Sequence, residues 1–442
     1  MILPALLASP LLGAALLSRA AGRWARAIHG AAASVTLALG LAVAWRAGAG
    51  EPLLALDGLL RADALSAWLV ALISLVGAFA ATEAPRYVPR TGPSTLYPLF
   101  HLFVFTMLLA VTTDDVGIMW VAVEGTTLAS VFLVNFERTR ASLEAAYKYL
   151  LICSVGIAIA FVGTVLLYLA DVRQLGVEAH ALRWSTLLGV APGLPPRVVE
   201  LAFVFVLVGY GTKAGLVPMH TWLPDAHSES PAPVSALMSG VLLSVGVYAV
   251  LRFKPIVDLA AGPDFARRLL VGLGLGFGGA WGTAGALLHI ANHALAKSAL
   301  FLLAGRIRAA YGSADIAAVG GLFRTMPSTA RVFLAALLAL LGLPPFGLFV
   351  SEVMIFGAGF REDQTLAATA GLGLLVIAFA GMLRAGHRML YGAPTIEPPD
   401  ERHGWAAPLP VLVALGLLVV SGIAWPPGLA DTLTRIALVV AP

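Results

Sequence analysis

Few ionisable side chains interrupt the long apolar stretches of this sequence, and these few are the residues most able to do chemistry inside a membrane. A charge at the centre of a bilayer costs about 2.5 to 3.5 kcal/mol on insertion scales, so each one is a candidate for function. We expect these residues to carry protons across the membrane. They are Glu124, Lys213, His289, His293, Lys297 and Glu352.

His289, His293 and Lys297 follow one another at intervals of four residues. This spacing places them on one face of a helix, over about 12 Å of its length. Histidine changes charge near neutral pH, and the charge state of a lysine depends on how close a carboxylate lies. We hypothesise that a change in the distance between Glu124 and Lys213 loads or releases a proton, which the histidines pass on.

Each of these residues also has a structural interpretation. Glu124 could be a partner of serine or threonine hydroxyls, and Lys213 could extend its side chain to the membrane surface. His289 and His293 could be bundle histidines or half of a metal site, but the H-E-x-x-H pattern of zinc proteases is absent from the sequence, and we expect no metal. Three charges near a loop are interpreted as solvated surface; they are Glu137, Glu144 and Lys148.

Two apolar stretches are interrupted by proline and glycine beside a charge. The first break follows Lys213 and contains Pro218, and the second contains Pro344 and Pro345 and precedes Glu352. Backbone freed at membrane depth must be satisfied by protein or by water in a cavity. Paired broken helices mark the site in transporters built from inverted repeats. The alternative is that these residues only kink the helices of a bundle.

Residues 220–229 are unusually polar for this chain. A helix-breaking turn of this composition could hold water and titratable groups at one mouth of a channel, or it could be an ordinary capped loop. The candidate mouth residues are His220, Asp225, His227 and Glu229.

The elements that must position these residues are membrane-spanning helices. The 442 residues are 59% hydrophobic and 12% charged, against about 25% charged residues in soluble domains. Apolar stretches long enough to cross a bilayer recur throughout, so we predict an all-α integral membrane protein of about 12 to 13 crossings. Among them are residues 147–170, 232–252 and, as the last, 407–427. A single cysteine, Cys153, excludes disulfides. The modest net charge of +4 suits membrane topology better than nucleic-acid binding.

Several of these segments together resemble the proton-conducting antiporter-like family. This family includes NADH-quinone oxidoreductase subunits L, M and N, Mrp antiporter subunits A and D, and hydrogenase-4 component F, and the resemblance is nearest to component F. It covers residues 60–390 and rests first on Lys213, the polar residues 220–229 and the PVSALM that follows shortly after them. The other segments that carry it are 120–124, 142–150, 289–305, 319–327 and 342–352.

The resemblance implies two inverted repeats with two discontinuous helices, and it assigns the candidate residues in turn. Glu124 and Lys213 would form the first half-channel, the row from His289 to Lys297 would connect the halves, and Glu352 would lie at the second. It also implies that the chain binds no cofactor and has no catalytic chemistry of its own. The implied partners are other membrane and redox subunits of a multi-subunit complex in the cell's inner (plasma) membrane.

Two departures from the family pattern concern the middle of the chain. The family often has a lysine where this sequence has Ser244, and only 35 residues separate Phe253 from His289, where two full helices are usual. We therefore predict a shortened second repeat. The predicted regions are residues 1–95, N-terminal helices; 96–253, first repeat; 254–390, second, shortened repeat; and 391–442, C-terminal helix.

These features predict a proton-translocating subunit of a complex I-like or group 4 hydrogenase-like respiratory complex, in which redox chemistry in partner subunits drives proton transport. Three alternatives stay open. The chain could be a component of an Mrp-type antiporter that exchanges sodium for protons, a structural membrane anchor, or a membrane partner in inorganic-carbon uptake. The sequence contains no nucleophile and base pair, phosphate-binding loop or metal-ligand set that indicates a stand-alone enzyme.

Overall fold

Helices make up nearly all of the regular structure. The computed structural model describes residues 1–88, 94–175, 182–271, 276, 278–394, 408–425 and 427–440. Within these residues the strands are confined to one antiparallel hairpin, β1 (Leu53–Ala55) and β2 (Leu60–Ala62). The first helices are α1 (Ile2–Leu17), α2 (Gly22–Ala49), α3 (Ala64–Glu83), α4 (Leu96–Thr112), α5 (Val116–Val134), α6 (Arg140–Leu175), α7 (Trp184–Val190), α8 (Pro196–Lys213) and α9 (Trp222–Glu229). The others are α10 (Ala232–Leu237), α11 (Leu243–Ala261), α12 (Pro263–Leu269), α13 (Gly279–Tyr311), α14 (Leu322–Thr325), α15 (Pro327–Leu340), α16 (Gly347–Arg361), α17 (Thr365–Tyr391), α18 (Leu409–Ile423) and α19 (Leu429–Val440).

The predicted all-α integral membrane fold is confirmed. Seven helical segments of the described residues are long and apolar enough to cross a membrane, and four shorter helices are also apolar. The seven segments contain α2, α3, α5, α6, α10 with α11, α13 and α17, and the four shorter helices are α1, α4, α15 and α18. The total of about 12 to 13 crossings stays a prediction.

The chain divides into two units by the proximity of its Cα atoms. Unit 1 contains Met1–Arg268 and Thr434–Pro442, and unit 2 contains Leu269–Leu433. Glu124 and Lys213 belong to unit 1, and the row from His289 to Lys297 belongs to unit 2 with Glu352. The four regions expected from the sequence, 1–95, 96–253, 254–390 and 391–442, stay predictions.

Helices α6 and α8 of unit 1 approach each other closely because glycines line their contact. A Cβ atom at Gly209 would lie 2.5 Å from Cβ of Ala160 and 2.6 Å from the carbonyl oxygen of Gly156. A Cβ at Gly156 would lie 2.6 Å from Cβ of Thr212. Small residues that let backbones approach are a common means of helix association in membranes. Here they bring the end of α8, where Lys213 lies, against α6.

The first discontinuous helix ends at Lys213. The next helix, α9, begins only at Trp222, so Pro218 lies in the break. The backbone turns at Gly215, whose φ of +73° favours glycine. The indole Nε1 of Trp222 donates to the carbonyl oxygen of Thr212 at 3.1 Å, which satisfies one of the acceptors left open where α8 ends.

The second discontinuous helix has the same organisation in unit 2. Helix α15 ends at Leu340 and α16 begins at Gly347, so Pro344 and Pro345 lie between them. The chain turns at Gly342, whose φ is +66°. Five residues into the helix that follows, Glu352 returns its carboxylate toward this turn.

A short π-helical segment, Met238–Leu242, joins α10 to α11 without a break. Segments of this kind are rare and often lie at functional sites in other helices. Ser244, at the position where the family often has lysine, follows the segment directly. Its hydroxyl donates to the carbonyl oxygen of Gly240 at 3.4 Å.

Three helix bounds differ from the sequence expectation. Helix α6 begins at Arg140, whereas the crossing was expected to begin near residue 147, so Glu144 also lies on the helix. Helix α11 continues to Ala261, beyond the expected end of this crossing near residue 252. Helix α19 was not expected at all; its residues follow the last predicted crossing and form an additional 12-residue helix.

The region between α11 and α13 is short, as the sequence predicts. The helix described there, α12, has 7 residues and is about 10 Å long. A crossing needs about 20 residues, so α12 does not span a bilayer. Of the residues between α12 and α13, the structure describes 270, 271, 276 and 278.

Candidate functional site

Lys213 is completely buried in unit 1 and donates to two hydroxyl groups. Its side chain is 0% exposed. The ammonium Nζ lies 2.9 Å from Oγ1 of Thr127 on α5 and 2.8 Å from the phenol oxygen of Tyr149 on α6. Lys213 therefore does not extend to the membrane surface, because its charge is held among side chains of three helices.

Glu124 is joined to Lys213 through one hydroxyl group. Oγ1 of Thr127, which accepts from Lys213, donates to Oε2 of Glu124 at 3.2 Å, and the hydroxyl of Ser154 donates to Oε1 at 2.6 Å. Glu124 and Thr127 are three residues apart and so lie on the same face of α5. The partnership of Glu124 with serine and threonine hydroxyls, expected as its structural interpretation, is present, and it is the same contact that links the two charges.

The hydrogen bonds of this cluster give each hydroxyl group a direction. The hydroxyl of Ser130 donates to the carbonyl oxygen of Thr126 at 2.5 Å and lies 2.7 Å from the phenol oxygen of Tyr149. Because a serine hydroxyl has one hydrogen, Tyr149 donates to Ser130 and accepts from Lys213. Thr127 likewise accepts once and donates once. The cluster is thus a connected set of hydrogen bonds in which each hydroxyl has a defined direction.

The polar turn of unit 1 is tied to the start of α6. Nζ of Lys148 lies 2.9 Å from Oδ2 of Asp225 and 2.7 Å from Oε1 of Glu144. All three side chains are at least 43% exposed, as solvated surface residues are. Lys148 directly precedes Tyr149 in the sequence, so this exposed pair lies next to the buried cluster. The other candidate mouth residues lie partly buried in the turn or in α9; they are His220, His227 and Glu229.

His289 and His293 lie on one face of α13 in unit 2. Their rings are stacked with centroids 5.7 Å apart. Nδ1 of His289 lies 3.1 Å from the hydroxyl oxygen of Ser351 on α16. That hydroxyl donates to the carbonyl oxygen of Leu348 at 2.8 Å, so we infer that Nδ1 of His289 carries a hydrogen and donates to Ser351. Lys297 is partly buried one turn further along the helix.

Glu352 lies against the second break. A Cβ atom added to Gly342 would collide with both carboxylate oxygens of Glu352. The neighbouring residue, Ser351, is the hydroxyl partner of His289. Helix α16 therefore presents two consecutive residues, one to the turn at Gly342 and one to the histidine row.

Asn292 and Ser421 support the second break, and sequence reasoning missed both. Asn292 is buried on α13, and the hydroxyl of Ser421 on α18 donates to its Oδ1 at 2.7 Å. Both side chains lie against Gly347, the first residue of α16. Asn292 lies between the two histidines in the sequence, which is the signal that could have drawn attention to it.

Sequence reasoning also missed a buried ion pair in unit 1. The guanidinium of Arg252 on α11 lies 2.6 and 2.7 Å from the two carboxylate oxygens of Asp63, which caps α3. It also donates to Ser66 at 2.7 Å and to the phenol oxygen of Tyr248 at 2.9 Å. Arg252 escaped notice because the predicted crossing ended at this residue, whereas α11 continues for nine more.

A second missed pair consists of His29 and His101. Nδ1 of His29 on α2 lies 3.0 Å from Nε2 of His101 on α4, and both rings are 1% exposed. Nε2 of His29 lies 3.1 Å from the carbonyl oxygen of Ala81. Because that carbonyl can only accept, Nε2 of His29 is the donor, and His101 donates to His29.

Within the described residues, no group of three or more histidine, cysteine, aspartate and glutamate side chains could hold a metal ion. The predicted site residues meet in two places: Glu124 joins Lys213 through Thr127, and His289 stacks on His293. Asp225 of the polar turn binds Lys148, which was interpreted as solvated surface. At the two meeting places, α5, α6 and α13 are long and apolar enough to cross a membrane. The geometry is that of a helical membrane protein with buried, hydrogen-bonded charges next to broken helices.

This chain belongs to the NADH:quinone oxidoreductase/Mrp antiporter transmembrane family, whose sequence profile matches residues 113–273 and 268–378. It is 32% identical over 413 residues to the hydrogenase-4 component F homolog of Methylacidiphilum infernorum, covering 84% of this chain and 86% of that protein. It is 33% identical over 336 residues to NADH-quinone oxidoreductase subunit N of Desulforudis audaxviator, covering 67% of this chain and 65% of that protein. The predicted family resemblance is confirmed.

The fold is similar to that of a chain in the Mrp complex from Dietzia sp. DQ12-45-1b. The TM-score is 0.84 at 21% identity, and the match covers 99% of this chain and 97% of that one. At 21% sequence identity, this comparison shows that the two chains share a fold. This chain is thus a multi-pass membrane protein with an antiporter-like fold.

Proposed function

We propose that this chain is the proton-translocating antiporter-like subunit of a complex I-like or group 4 hydrogenase-like respiratory complex in the cell's inner (plasma) membrane. One observation carries the proposal: the fully buried ammonium of Lys213 is joined to the carboxylate of Glu124 through Thr127. A charge buried in a membrane protein is costly and marks an ion pathway in many of them. The relative named hydrogenase-4 component F homolog supports the choice of complex.

The hydrogen bonds suggest the elementary step. Thr127 passes its hydroxyl hydrogen to Glu124 while it takes a hydrogen from Lys213, so the pair changes from ammonium and carboxylate to amine and carboxylic acid. No net charge leaves the cluster in this step, which suits a low-dielectric environment. A movement of α5 relative to α8 would break the link at Thr127 and leave each charge to exchange its proton elsewhere. Redox chemistry in partner subunits would supply the energy for that movement.

In unit 2 the row on α13 continues this function. His289, His293 and Lys297 are candidate groups for a second stretch of the path, with Glu352 beside the second break. The hydroxyl of Ser351, which accepts from His289, would orient the first of the histidines. The polar turn with His220, Asp225, His227 and Glu229 would form a mouth of the path in unit 1.

The test is proton uptake into inverted membrane vesicles energised by the native electron donor. Wild type is compared with Lys213→Ala and Glu124→Gln at equal amounts of assembled complex. Glu51→Gln, at an exposed glutamate outside the membrane-spanning helices, is the matched control for the removal of a carboxylate. We expect uptake to fall in the first two variants and to stay unchanged in the control.

Uptake that is unchanged in both Lys213→Ala and Glu124→Gln would contradict the proposal and leave the chain as a structural membrane anchor. A second candidate, an Mrp-type cation/proton antiporter component, is favoured by the fold likeness to a chain of the Mrp complex. Replacing sodium by choline in the same vesicles separates the two, because only an antiporter of that type needs sodium for proton movement.

A further inference from the structure

Four charged side chains gather at the end of unit 1 that lies away from the polar turn. They come from β2, from the residue before α3, from the junction of α4 and α5, and from α11; they are Arg61, Asp63, Asp114 and Arg252. The hairpin is fastened to the same junction, because the backbone amide of Asp114 donates to the carbonyl oxygen of Leu59 at 2.9 Å.

The position of this cluster follows from α5. This helix begins immediately after Asp114 and Asp115, and it ends at Val134. Asn135 accepts a hydrogen bond from Ser142 in the first turn of α6, and α6 binds the polar turn through Lys148. The 19 residues of α5 span about 28 Å, close to the thickness of a hydrocarbon core. Asp114 and the polar turn therefore lie near opposite ends of α5.

The two carboxylates of the cluster have different partners. Both oxygens of Asp63 are bound by Arg252 at 2.6 and 2.7 Å, and Oδ1 also accepts from the amide of Ser66 at 3.0 Å. Burial alone would raise the pKa of Asp63, but the charge and hydrogen bonds of Arg252 outweigh it and hold the pKa below its ordinary value. Asp63 is thus fixed in its ionised form.

Asp114 has one oxygen without a hydrogen-bond partner. Its side chain is 4% exposed, and Oδ2 accepts from the hydroxyl of Ser185 at 2.5 Å. Oδ1 is buried and unpartnered, and the nearest charged atom is Nε of Arg61 at 3.9 Å, itself buried without a hydrogen-bond partner. Oδ1 of Asp114 and Nε of Arg61 thus face each other as an ion pair whose separation is too long for a direct hydrogen bond.

The surroundings of Asp114 raise its pKa above the ordinary value of an aspartate. Burial raises the pKa of Asp114, although the hydrogen bond from Ser185 and the charges of Arg61 and Arg252 act in the opposite direction. The remaining charged groups at this place are Asp63, already paired, and Asp115 with Arg183, whose backbones form a bridge next to Asp114. The pKa values of the two carboxyl groups are thus shifted in opposite directions, down for Asp63 and up for Asp114. Such a difference assigns Asp63 as the fixed charge and Asp114 as the proton acceptor.

We propose that Asp114 is a proton-exchanging carboxyl group at the end of unit 1 opposite the polar turn, next to the fixed ion pair of Asp63 and Arg252. Oδ1, which has no hydrogen-bond partner, takes up a proton from water and returns it to water, because Arg61 has no atom that can accept it. Asp114 lies ten residues before Glu124, about 15 Å away along the axis of α5. A role of Asp114 in proton transport rests on the proposed function of the chain. Protonation of Asp114 does not depend on that function.

The protonation is tested by infrared spectroscopy on the full chain in lipid vesicles, titrated with acid and base. A carboxylic acid has a carbonyl stretch that a carboxylate lacks. Other carboxyl groups of the chain, Glu124 among them, can contribute to the same band, so the signal is the difference between the spectra of the wild type and of Asp114→Asn. We expect this difference to contain the carbonyl band at pH values above about 4, where an ordinary aspartate is ionised. Asp115→Asn is the matched control; Asp115 accepts from the amides of Gly117 and Ile118, and asparagine caps a helix equally well.

A difference between the two spectra without the carbonyl band in that pH range overturns the proposal, because the band of the wild type then belongs to other carboxyl groups. If Asp114→Asn does not fold, Asp114→Glu keeps the carboxyl, and the band must then persist with a changed midpoint. An unchanged midpoint in Asp114→Glu assigns the band to another residue and overturns the proposal.

Proton uptake in the vesicle assay tests the transport role. We expect at least a tenfold loss in Asp114→Asn and partial recovery in Asp114→Glu, which retains the carboxyl. Unchanged uptake in Asp114→Asn, while Lys213→Ala is inactive, overturns the transport role of Asp114 alone. If the proposed function itself fails, Lys213→Ala also keeps full uptake, and the infrared band still reports on Asp114.

Discussion

Replacing Asp63 by asparagine should destabilise unit 1 strongly. The substitution keeps the helix cap, because asparagine also accepts from the amide of Ser66. It removes the negative partner of Arg252, whose side chain is only 6% exposed. In the wild type, Asp63 accepts two hydrogen bonds of 2.6 and 2.7 Å from this guanidinium. Breaking a buried pair from one side costs about 3 to 5 kcal/mol, since the remaining charge stays buried without its partner.

The double variant makes this prediction sharper. In Asp63→Asn with Arg252→Met, no charge is left unpaired, so we expect the double variant to be more stable than Asp63→Asn alone. The assay is equilibrium unfolding of the purified chain in detergent micelles, for wild type, both single variants and the double variant. The coupling free energy comes from this cycle. A loss in Asp63→Asn of less than about 0.5 kcal/mol, the range of ordinary surface substitutions, would refute the reasoning, as would strict additivity.

The same pair predicts the direction of a pH effect. Arg252 lowers the pKa of Asp63 in the folded chain, so the folded state favours the ionised form more than the unfolded state does. The stabilisation from Asp63 is therefore fully present above its unfolded pKa of about 3.9 and is lost as the pH falls toward the folded value. Asp63→Asn should lack this part of the acid sensitivity, which unfolding curves at several acidic pH values would reveal.

Three further outcomes are expected. Gly209→Leu should destabilise the chain by at least about 1 to 3 kcal/mol because of overpacking against α6, whereas Gly373→Ala, where an added Cβ meets nothing within 4 Å, should stay within about 1 kcal/mol of wild type; unfolding in micelles compares them. Thr127→Val should reduce proton uptake, since a hydrogen bond to a charged group contributes about 1.5 to 3 kcal/mol, and Thr127→Ser, which keeps the hydroxyl, should restore it. Lys148→Ala should leave the stability close to wild type, because ion pairs between exposed side chains contribute little, and a large loss would contradict the exposed position of the pair.

The sequence predicted the parts of the structure that depend on composition and local pattern. The membrane class follows from hydropathy, and the two discontinuous helices follow from proline and glycine beside Lys213 and before Glu352. The row from His289 to Lys297 follows from helical spacing alone. These features need only the chemistry of neighbouring residues.

The hydroxyl partners could not be predicted in the same way. Thr127, Tyr149 and Ser154 look like any other residues of apolar helices, where threonine and serine commonly donate to the backbone of the preceding turn. What selects them is the packing of α5, α6 and α8 against one another, in which α6 and α8 approach closely at Gly156 and Gly209. That approach depends on the packing of segments far apart in the sequence.

The pair of Asp63 and Arg252 joins residues 189 positions apart, and no local signal indicates that they meet. Each one alone did carry a signal. Asp63 stands immediately before an apolar run, as a helix cap does, and Arg252 is a charge within an apolar helix, the same criterion that selected Lys213. Applying that criterion to a crossing extended by one turn would have found Arg252.

Because of the π-helical segment before α11, the orientation of the residues that follow depends on the exact number of residues between 238 and 242. One extra residue in a turn rotates everything after it by about 100° relative to a continuous α-helix. Ser244, Tyr248 and Arg252 all follow the segment on one face. Deletion of a single residue between 238 and 242 would leave the hydropathy and the length of this helical segment almost unchanged. It would nevertheless turn the side chain of Arg252 away from Asp63. The contact between Arg252 and Asp63 therefore depends on the number of residues in this segment as well as on their identity.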